Sequence, residues 1–379
     1  MTFTSGYDKE LFRYHRGRAV KLPTISAGER LFPKVYGGSS GLSPEKKAVG
    51  LVRNTAEAVV KVDKASSGIK GAEHLHEAAN YLSRNGKIVL EDEDGELLSK
   101  FDLDNRMTEW ATVMKMPNKD DKSRSADARR FIFSAPKGTD PEALKSTIRE
   151  LTKEVFGKNG YSYVFGMHEN NLDNPDEPDH PHIHVIVKAL NSRNKRLNVR
   201  KQDLQYLRER FAVIAKKYGI ELNATTRASR AQTKKAKTQE QLHSEKRGDF
   251  SHPYAQQRED ELVKAMTGQE PLKENEGKKK ARRTRSKVKD NIRDYAEELR
   301  AQGKNKLADA LEKKADRYPD EIKTAQEEIL EKAQQQVNEK IREHIRKRKS
   351  AQKQSQAQKW AINKKKQQQK AKDITEIER

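Results

Sequence analysis

The 379-residue sequence contains no cysteine, so the chain can form neither a disulfide framework nor a thiolate metal site. Aromatic residues make up 6% of the sequence and hydrophobic residues 33%, which is low for a fully globular protein. No apolar run approaches the length of a membrane-spanning helix, and the N-terminal residues lack a signal-peptide core. These absences predict a cytoplasmic protein without membrane insertion, in which a folded part is attached to long polar segments.

Charged residues, in contrast, are abundant and unbalanced. The sequence has 79 Lys and Arg against 57 Asp and Glu, which gives a formal net charge of +22. A surplus of this size favours association with polyanions, chiefly nucleic acid, although it does not specify a fold. A cationic protein without a nucleic-acid partner is the alternative that composition leaves open.

Hydrophobic patterning divides the chain into four segments. Residues 1–52 are basic and rich in Gly, Ser and Pro, which is typical of a flexible leader. Residues 53–230 carry the regular patterns of a folded domain, and residues 231–290 are predicted to form a basic polar linker. Residues 291–379 are predicted to be helical and partly disordered, because they lack an apolar core of their own.

The patterns within 53–230 predict a mixed α/β domain. Apolar residues at helical spacing between Ala72 and Leu82 mark a buried stripe, and Asp140 followed by Pro141 is a typical helix start. The predicted order is strand, helix, hairpin, helix, strand, helix, strand, strand, helix. This order favours a central, largely antiparallel sheet flanked by helices.

Histidine is concentrated in one short stretch, because four of the ten histidines lie between His168 and His184. His182 and His184 are two residues apart on a predicted strand, so both side chains point to the same face. His168 ends the preceding predicted strand, and a reversal between the strands can bring the three imidazoles to one point. Three imidazoles suit a metal site with open positions for a phosphate oxygen. The alternative is three histidines that satisfy hydrogen bonds at strand ends.

Controlled cleavage of DNA at such a site also needs a nucleophile. The chain has no cysteine and no Gly-x-Ser-x-Gly turn, whereas a tyrosine can attack a phosphodiester and leave a reversible covalent intermediate. Among the eleven tyrosines, Tyr81 lies at the edge of a predicted helix, and nearby Arg84 and Lys87 are candidate phosphate-binding residues. On periodicity alone, packing beside Leu82 is the better interpretation of Tyr81.

Three motifs in this region together resemble a known family. The segments Tyr81–Lys87 (YLSRNGK), Asp179–His184 (DHPHIH) and Gly219–Arg227 (GIELNATTR) are similar to motifs of the HUH relaxases, in the same order and at comparable spacing. The similarity is greatest to the P-type mobilisation class, which includes the border-nicking relaxases of tumour-inducing plasmids. The strand and helix predicted over 130–157 are similar as well, and the resemblance covers roughly residues 55–230.

The resemblance implies a palm-like HUH endonuclease domain whose nucleophile is Tyr81. It implies metal ligation by three histidines, namely His168, His182 and His184. Asp179 and His180 are implied to orient a ligand or to help take the tyrosine proton. The implied reaction nicks one DNA strand at an origin of transfer through a 5′-phosphotyrosyl intermediate. It uses a divalent metal, Mg²⁺ or Mn²⁺, although imidazole ligands alone favour zinc, manganese or nickel over magnesium.

Two features depart from the family pattern. The stretch Asn171–Pro178 lengthens the gap before the paired histidines, so Glu169 or Asp173 could take the place of His168. In addition, Lys188 stands where many relaxases carry an asparagine shortly after the pair.

The resemblance also implies partners. These are origin-of-transfer DNA as hairpin and single strand, accessory relaxosome proteins, and the coupling protein of a type IV secretion system that carries the DNA-linked protein from the donor cytoplasm to the recipient. The basic clusters Arg346–Lys349 and Lys364–Lys366 resemble the secretion signals of such proteins, or they form an unspecific DNA-binding tail.

Two other functions are compatible with the sequence. A rolling-circle replication initiator of the same superfamily places its tyrosine after the histidine pair, and Tyr206 would then be the nucleophile. A non-enzymatic basic DNA-binding accessory protein would use neither a metal nor a covalent intermediate.

Overall fold

The computed structural model describes residues 41–63, 68–118, 125–169, 180–232, 247, 253–272 and 275–377. The helices and strands up to residue 232 are α1 (Pro44–Arg53), β1 (Val59–Val62), α2 (Ala72–Leu82), β2 (Leu90–Asp92), β3 (Leu97–Leu98), α3 (Lys100–Val113), β4 (Ala128–Ser134), α4 (Pro141–Val155), β5 (Tyr163–His168), β6 (His182–Lys188) and α5 (Lys201–Lys217). Further along the described chain lie the helices α6 (Pro253–Met266), α7 (Glu276–Ala301), α8 (Asn305–Asp316) and α9 (Ala325–Ile377).

The strands form one six-stranded sheet in the order β1-β4-β6-β5-β2-β3, and every neighbouring pair is antiparallel. Strand β6 lies between β4 and β5, so that His184 is opposite Ile132 on one side and Gly166 on the other. The adjacent, antiparallel β5 and β6 provide the chain reversal that a three-histidine site requires. This architecture confirms the predicted α/β fold with an antiparallel central sheet.

Helices bury both faces of the sheet. Phe131, Phe133 and Val185 belong to a core that lies between the sheet and helices α4 and α5. Val164 and Ile186 belong to a second core, which lies between the other face and helices α2 and α3. Because side chains alternate along a strand, successive residues of β6 point in turn to one face of the sheet and then to the other.

The predicted start of α4 is present in the structure. Asp140 is the N-cap, and its carboxylate accepts hydrogen bonds from the backbone N–H groups of Glu142 and Ala143 at 3.4 and 3.2 Å. Pro141 occupies the first turn of the helix, where a backbone N–H has no acceptor within the helix. The lack of an N–H group in proline therefore costs no hydrogen bond at this position. This helix start depends only on neighbouring residues, so it could be predicted from the sequence without knowledge of tertiary contacts.

Helix α1 begins at Pro44, inside the segment 1–52 that was predicted to be a flexible leader, and ends at Arg53. Lys47 is buried, and its Nζ is 2.9 Å from Oε1 of Glu209 on α5. Asn223 donates its side-chain N–H to the Lys47 carbonyl at 3.1 Å. A Cβ on Gly50 would lie 2.4 Å from Nδ2 of Asn223, so a glycine is needed for this close approach. These contacts cannot be predicted from composition because they join residues that are far apart in the sequence.

Residues Arg285–Tyr318 also pack with the sheet domain. Ala48 and Leu51 of α1 share a core with apolar residues of α7 and α8, including Ile292. The Tyr318 hydroxyl donates to the Ser229 carbonyl at 2.6 Å. The first compact unit therefore joins the residues up to Gln232 with Arg285–Tyr318, and it is larger than the domain predicted over 53–230.

The second unit consists of Thr233–Thr284 and Pro319–Arg379. Within it, α6 packs on the long helix α9, and Lys323 forms an ion pair with Glu331 at 2.6 Å. The apolar residues of α9 that are half exposed are Ile329, Val337, Ile341 and Ile345. These helices confirm the predicted helical character of the C-terminal region. Among the helices described, none combines the length and the apolar character needed to cross a bilayer.

The buried ion pair between α1 and α5 leads to a test of stability. We expect Lys47→Ala to lower the free energy of unfolding by about 3–5 kcal/mol, because Glu209 is left buried without its countercharge. Urea denaturation followed by circular dichroism measures the loss. Lys46→Ala is the control, since Lys46 is exposed and its removal should cost less than about 0.5 kcal/mol. Equal stability of the two variants would show that α1 contributes little to the domain.

Candidate active site and metal centre

Three histidines converge at the edge of the sheet where β5 ends and β6 begins. His168 is opposite His182 in the strand register, and His184 follows two residues later on the same face as Ile186. The ring centroids are 4.6 to 5.4 Å apart. One nitrogen from each ring lies within 4.8 Å of the others. The structure therefore brings together the three residues that the sequence analysis selected as ligands.

Backbone carbonyls orient two of the three rings. His168 donates from Nε2 to the Leu82 carbonyl at 2.8 Å, and His182 donates from Nδ1 to the His180 carbonyl at 3.1 Å. A ring nitrogen that donates carries the proton, so the lone pair is on the other nitrogen of that ring. Such outer contacts fix the tautomer of metal-binding histidines.

His184 is buried between the other two histidines and the sheet. Burial lowers the pKa of His184 to about 2, and the neighbouring His168 and His182 act in the same direction. The imidazole is therefore neutral, which is the form that binds a metal. Neither of its ring nitrogens has a hydrogen-bond partner among the residues that the structure describes. Since buried polar atoms are normally paired, a divalent cation fits as the partner.

Tyr81 lies on the last turn of α2, directly beside the histidine cluster. Its ring centroid is 5.6 Å from that of His184, in an edge-on arrangement, and 5.9 Å from that of His168. The side chain is 52% exposed, whereas Leu82 is fully buried. Tyr81 is therefore not a core residue, which counts against the interpretation that it packs beside Leu82.

The turn after Tyr81 has an unusual backbone. Arg84, Asn85 and Gly86 have φ values of 48°, 58° and 87°, so three successive residues adopt left-handed conformations. Such conformations are costly for residues other than glycine and are found where the surrounding structure enforces them. Here the Asn85 N–H donates to the Asn80 carbonyl at 2.7 Å. The turn thereby reverses the direction of the chain after α2 and places Arg84 beside the site.

The two predicted phosphate-binding residues differ in their surroundings. Arg84 donates from Nη2 to the Glu169 carbonyl at 3.2 Å, and its charge contributes to the lowered pKa of His184. Arg84 therefore faces the histidine cluster. Lys87 is exposed three residues later.

His180, the other predicted catalytic residue with a described position, lies beside His182. The His180 ring centroid is 5.9 Å from that of His182, in addition to the carbonyl contact. Among the residues with described positions, the potential ligand group contains the three histidines and not Glu169. Asp179 and the alternative ligand Asp173 lie outside the described residues.

Arg130, which the sequence did not single out, also borders the site. Its guanidinium carbon lies 5.9 Å from the centroid of the Tyr81 ring. A weak signal was available, since Arg129 and Arg130 are two charged residues near the start of a strand whose centre is apolar. The proximity of Arg130 to Tyr81, however, depends on how α2 packs across β4.

Two further residues lie away from the cluster. Tyr206 packs against the core on the α4 and α5 side of the sheet, and burial raises its pKa. It therefore lies on the opposite face from the histidines, which counts against a replication initiator that uses Tyr206. Lys188 is at the other end of β6, where its Nζ lies 5.9 Å from the centroid of the Trp110 ring.

The structure thus combines an antiparallel sheet, three converging histidines and a tyrosine beside them, which is the arrangement that the HUH resemblance predicts. Residues 81–220 match the family model described as "Relaxase: MobA/VirD2-like, nuclease domain". This span begins at Tyr81 and includes the three histidines. Residues 81–220 are therefore similar to the nuclease domain of MobA/VirD2-like relaxases, and the resemblance inferred from the motifs is confirmed.

Similar curated proteins are T-DNA border endonucleases named VirD2. The chain is 30% identical over 181 residues to that of Rhizobium radiobacter, 29% over 178 residues to that of Rhizobium rhizogenes, and 28% over 183 residues to that of Agrobacterium fabrum. These alignments cover 43–44% of this chain and 39–40% of the relatives. The chain thus spans about 40% of the length of the curated relatives that it matches.

Proposed function

We propose that this chain is a plasmid mobilisation relaxase that nicks one DNA strand at an origin of transfer. The phenolic oxygen of Tyr81 attacks the scissile phosphorus, a Tyr–O–P bond forms, and the bond from phosphorus to the 3′ oxygen breaks. The phenolic proton goes to a base, and the departing 3′ oxygen takes up a proton. The observation that supports this most directly is the Tyr81 ring, 5.6 Å from His184 and half exposed beside the histidine cluster.

The neutral imidazoles of His168, His182 and His184 would hold a divalent cation, Mg²⁺ or Mn²⁺, which when bound polarises the phosphate and neutralises developing charge. The carbonyls of Leu82 and His180 keep two of these rings in fixed orientations. Imidazole ligands alone favour manganese over magnesium, so Mn²⁺ is the ion to test first.

The remaining residues of the site act on the DNA strand and on the proton. Arg84 and Lys87 bind phosphate groups next to the scissile bond, and the position of Arg84 towards the cluster supports its role. His180 and Asp179 orient a ligand or help to take the Tyr81 proton. The contact of the His180 carbonyl with His182 supports the orienting role.

The later steps of mobilisation follow from the covalent intermediate. The DNA-linked protein passes from the donor cytoplasm through a type IV secretion channel, after contacts with accessory relaxosome proteins and the coupling protein. In the recipient, a free 3′-hydroxyl attacks the phosphotyrosyl bond, which closes the strand and releases Tyr81. The basic clusters Arg346–Lys349 and Lys364–Lys366 serve as the secretion signal.

A denaturing gel tests the proposed reaction. Purified protein is mixed with a labelled single-stranded oligonucleotide that carries the origin sequence of the replicon encoding this chain. We expect a labelled, protein-linked band with Mn²⁺ and none with a chelator, because the nick requires both the tyrosine and the metal. If no lane contains the band while the oligonucleotide is still bound, the chain is a non-enzymatic DNA-binding protein instead.

A further inference from the structure

Arg130 shares a face of the sheet with the histidine cluster. In the register of β4 and β6, Arg130 is opposite Ile186, and Ile132 is opposite His184. Strand alternation places these residues on the side of the sheet that α2 covers. The guanidinium carbon lies over the ring of Tyr81, 5.9 Å from its centroid. A cation at this distance is attracted to the face of an aromatic ring.

Asp63 holds Arg130 in this position. The backbone N–H of Arg130 donates to Oδ2 of Asp63 at 3.0 Å, and Nη2 of the guanidinium donates to Oδ1 at 3.4 Å. The Asp63 N–H donates in return to the Arg130 carbonyl at 3.2 Å. A guanidinium tied to a carboxylate and carried on a central strand is preorganised.

The charge of Arg130 is directed towards the cluster. Arg130 and Arg84 both contribute to the lowered pKa of His184, so both cations lie near that ring. The Arg130 side chain is 35% exposed and Tyr81 is 52% exposed, so solvent reaches both groups. A half-exposed tyrosine would otherwise rotate freely about its side-chain bonds, and its contacts with Arg130 and the histidine rings restrict that rotation.

We propose that Arg130, held by Asp63, is a positioning residue that fixes the Tyr81 ring beside the three histidines for attack. This inference rests on the proposed function. An attacking oxygen that is misplaced by about 1 Å can cost about 100-fold in rate. The loss of Arg130 should therefore slow the formation of the adduct while DNA affinity is kept, because in this proposal its side chain acts on the Tyr81 ring.

The experiment compares Arg130→Gln with Arg129→Gln. Arg129 is the neighbouring residue on the same strand, so its side chain points to the opposite face and the same charge is lost in both variants. Arg129 also interacts electrostatically with Asp63, but its replacement leaves the hydrogen bonds between Asp63 and Arg130 in place. Adduct formation is measured in a single turnover at saturating oligonucleotide and Mn²⁺. DNA affinity is measured by fluorescence anisotropy with each substitution in a Tyr81→Phe background, so that no cleavage occurs.

We expect Arg130→Gln to slow adduct formation about 10- to 100-fold, with a change in Kd of less than about threefold. Arg129→Gln should keep the wild-type rate. Arg130→Lys should give an intermediate rate, because an ammonium group keeps a cation near the ring but lacks the planar guanidinium whose Nη2 contacts Asp63. Circular dichroism melting checks that each variant folds. If Arg130→Gln does not fold, Arg130→Lys is compared with the wild type instead.

Three results would overturn the inference. A wild-type rate for Arg130→Gln removes the positioning role. Equal slowing by Arg129→Gln indicates a general effect of charge. A loss of rate that is matched by a loss of DNA affinity indicates a phosphate contact. Absence of any adduct with the wild-type protein defeats the proposed function itself, whereas a wild-type adduct without an effect of Arg130 defeats only this inference.

Discussion

A Tyr81→Phe variant is expected to form no covalent protein–DNA adduct. Phenylalanine keeps the ring that contacts His168 and His184, but it lacks the oxygen that attacks phosphorus. Removal of a nucleophile from an enzyme costs about 10⁴-fold or more in rate, so the band should fall below detection. The measurement is the denaturing gel with Mn²⁺, read at several times up to a full day.

Tyr206→Phe is the matched control for this experiment. Tyr206 lies against the core on the opposite face of the sheet, so its hydroxyl should contribute nothing to the adduct. Anisotropy with the uncut oligonucleotide should give the same Kd for both variants and the wild type. A band that persists in Tyr81→Phe and disappears in Tyr206→Phe would reverse the assignment and restore the replication-initiator alternative.

The second large effect is expected for His184→Ala. This substitution removes one imidazole from the cluster, and the loss of several kcal/mol of charge stabilisation corresponds to about 10³-fold in the nicking rate. A readout independent of activity is the melting temperature. Mn²⁺ at about 100 times its Kd should stabilise the wild-type protein by about 2.7 kcal/mol and should stabilise His184→Ala far less.

His76→Ala provides the control for histidine loss. His76 lies on α2 with a partly exposed ring, 3.7 Å from a carboxylate oxygen of Asp104 and outside the cluster. It should keep both the Mn²⁺-dependent stabilisation and the nicking rate. If His184→Ala gains as much stability from Mn²⁺ as His76→Ala does, the three histidines are not the metal site.

Much of the site was predictable because its signals are local. Alternation along a strand places His182 and His184 on one face without knowledge of the rest of the fold. The reversal that brings His168 opposite His182 follows from two adjacent antiparallel strands. Likewise, Asp140 and Pro141 specify the start of α4 through their own backbone chemistry.

The parts that sequence did not show depend on long-range packing. The packing of α1 against α5 depends on the contact of Lys47 with Glu209, 162 residues later, although Ser43 and Pro44 mark the start of the helix locally. The role we infer for Arg130 arises where α2 crosses β4, and no pattern within either element predicts that contact. The packing of Arg285–Tyr318 with the sheet domain also depends on long-range contacts. Composition alone assigned these residues to a linker and a C-terminal region.

During synthesis, helix α1 leaves the ribosome long before its packing partners on α7 and α8 have been made. The buried faces of Ala48 and Leu51 then remain uncovered until the chain has been translated as far as Tyr318. The compact unit that contains the histidine cluster is therefore complete only after Tyr318 has been made. A truncated chain that ends near Arg230 lacks α7 and α8, so Ala48 and Leu51 lose these packing partners, and we expect the exposed apolar surface to favour aggregation.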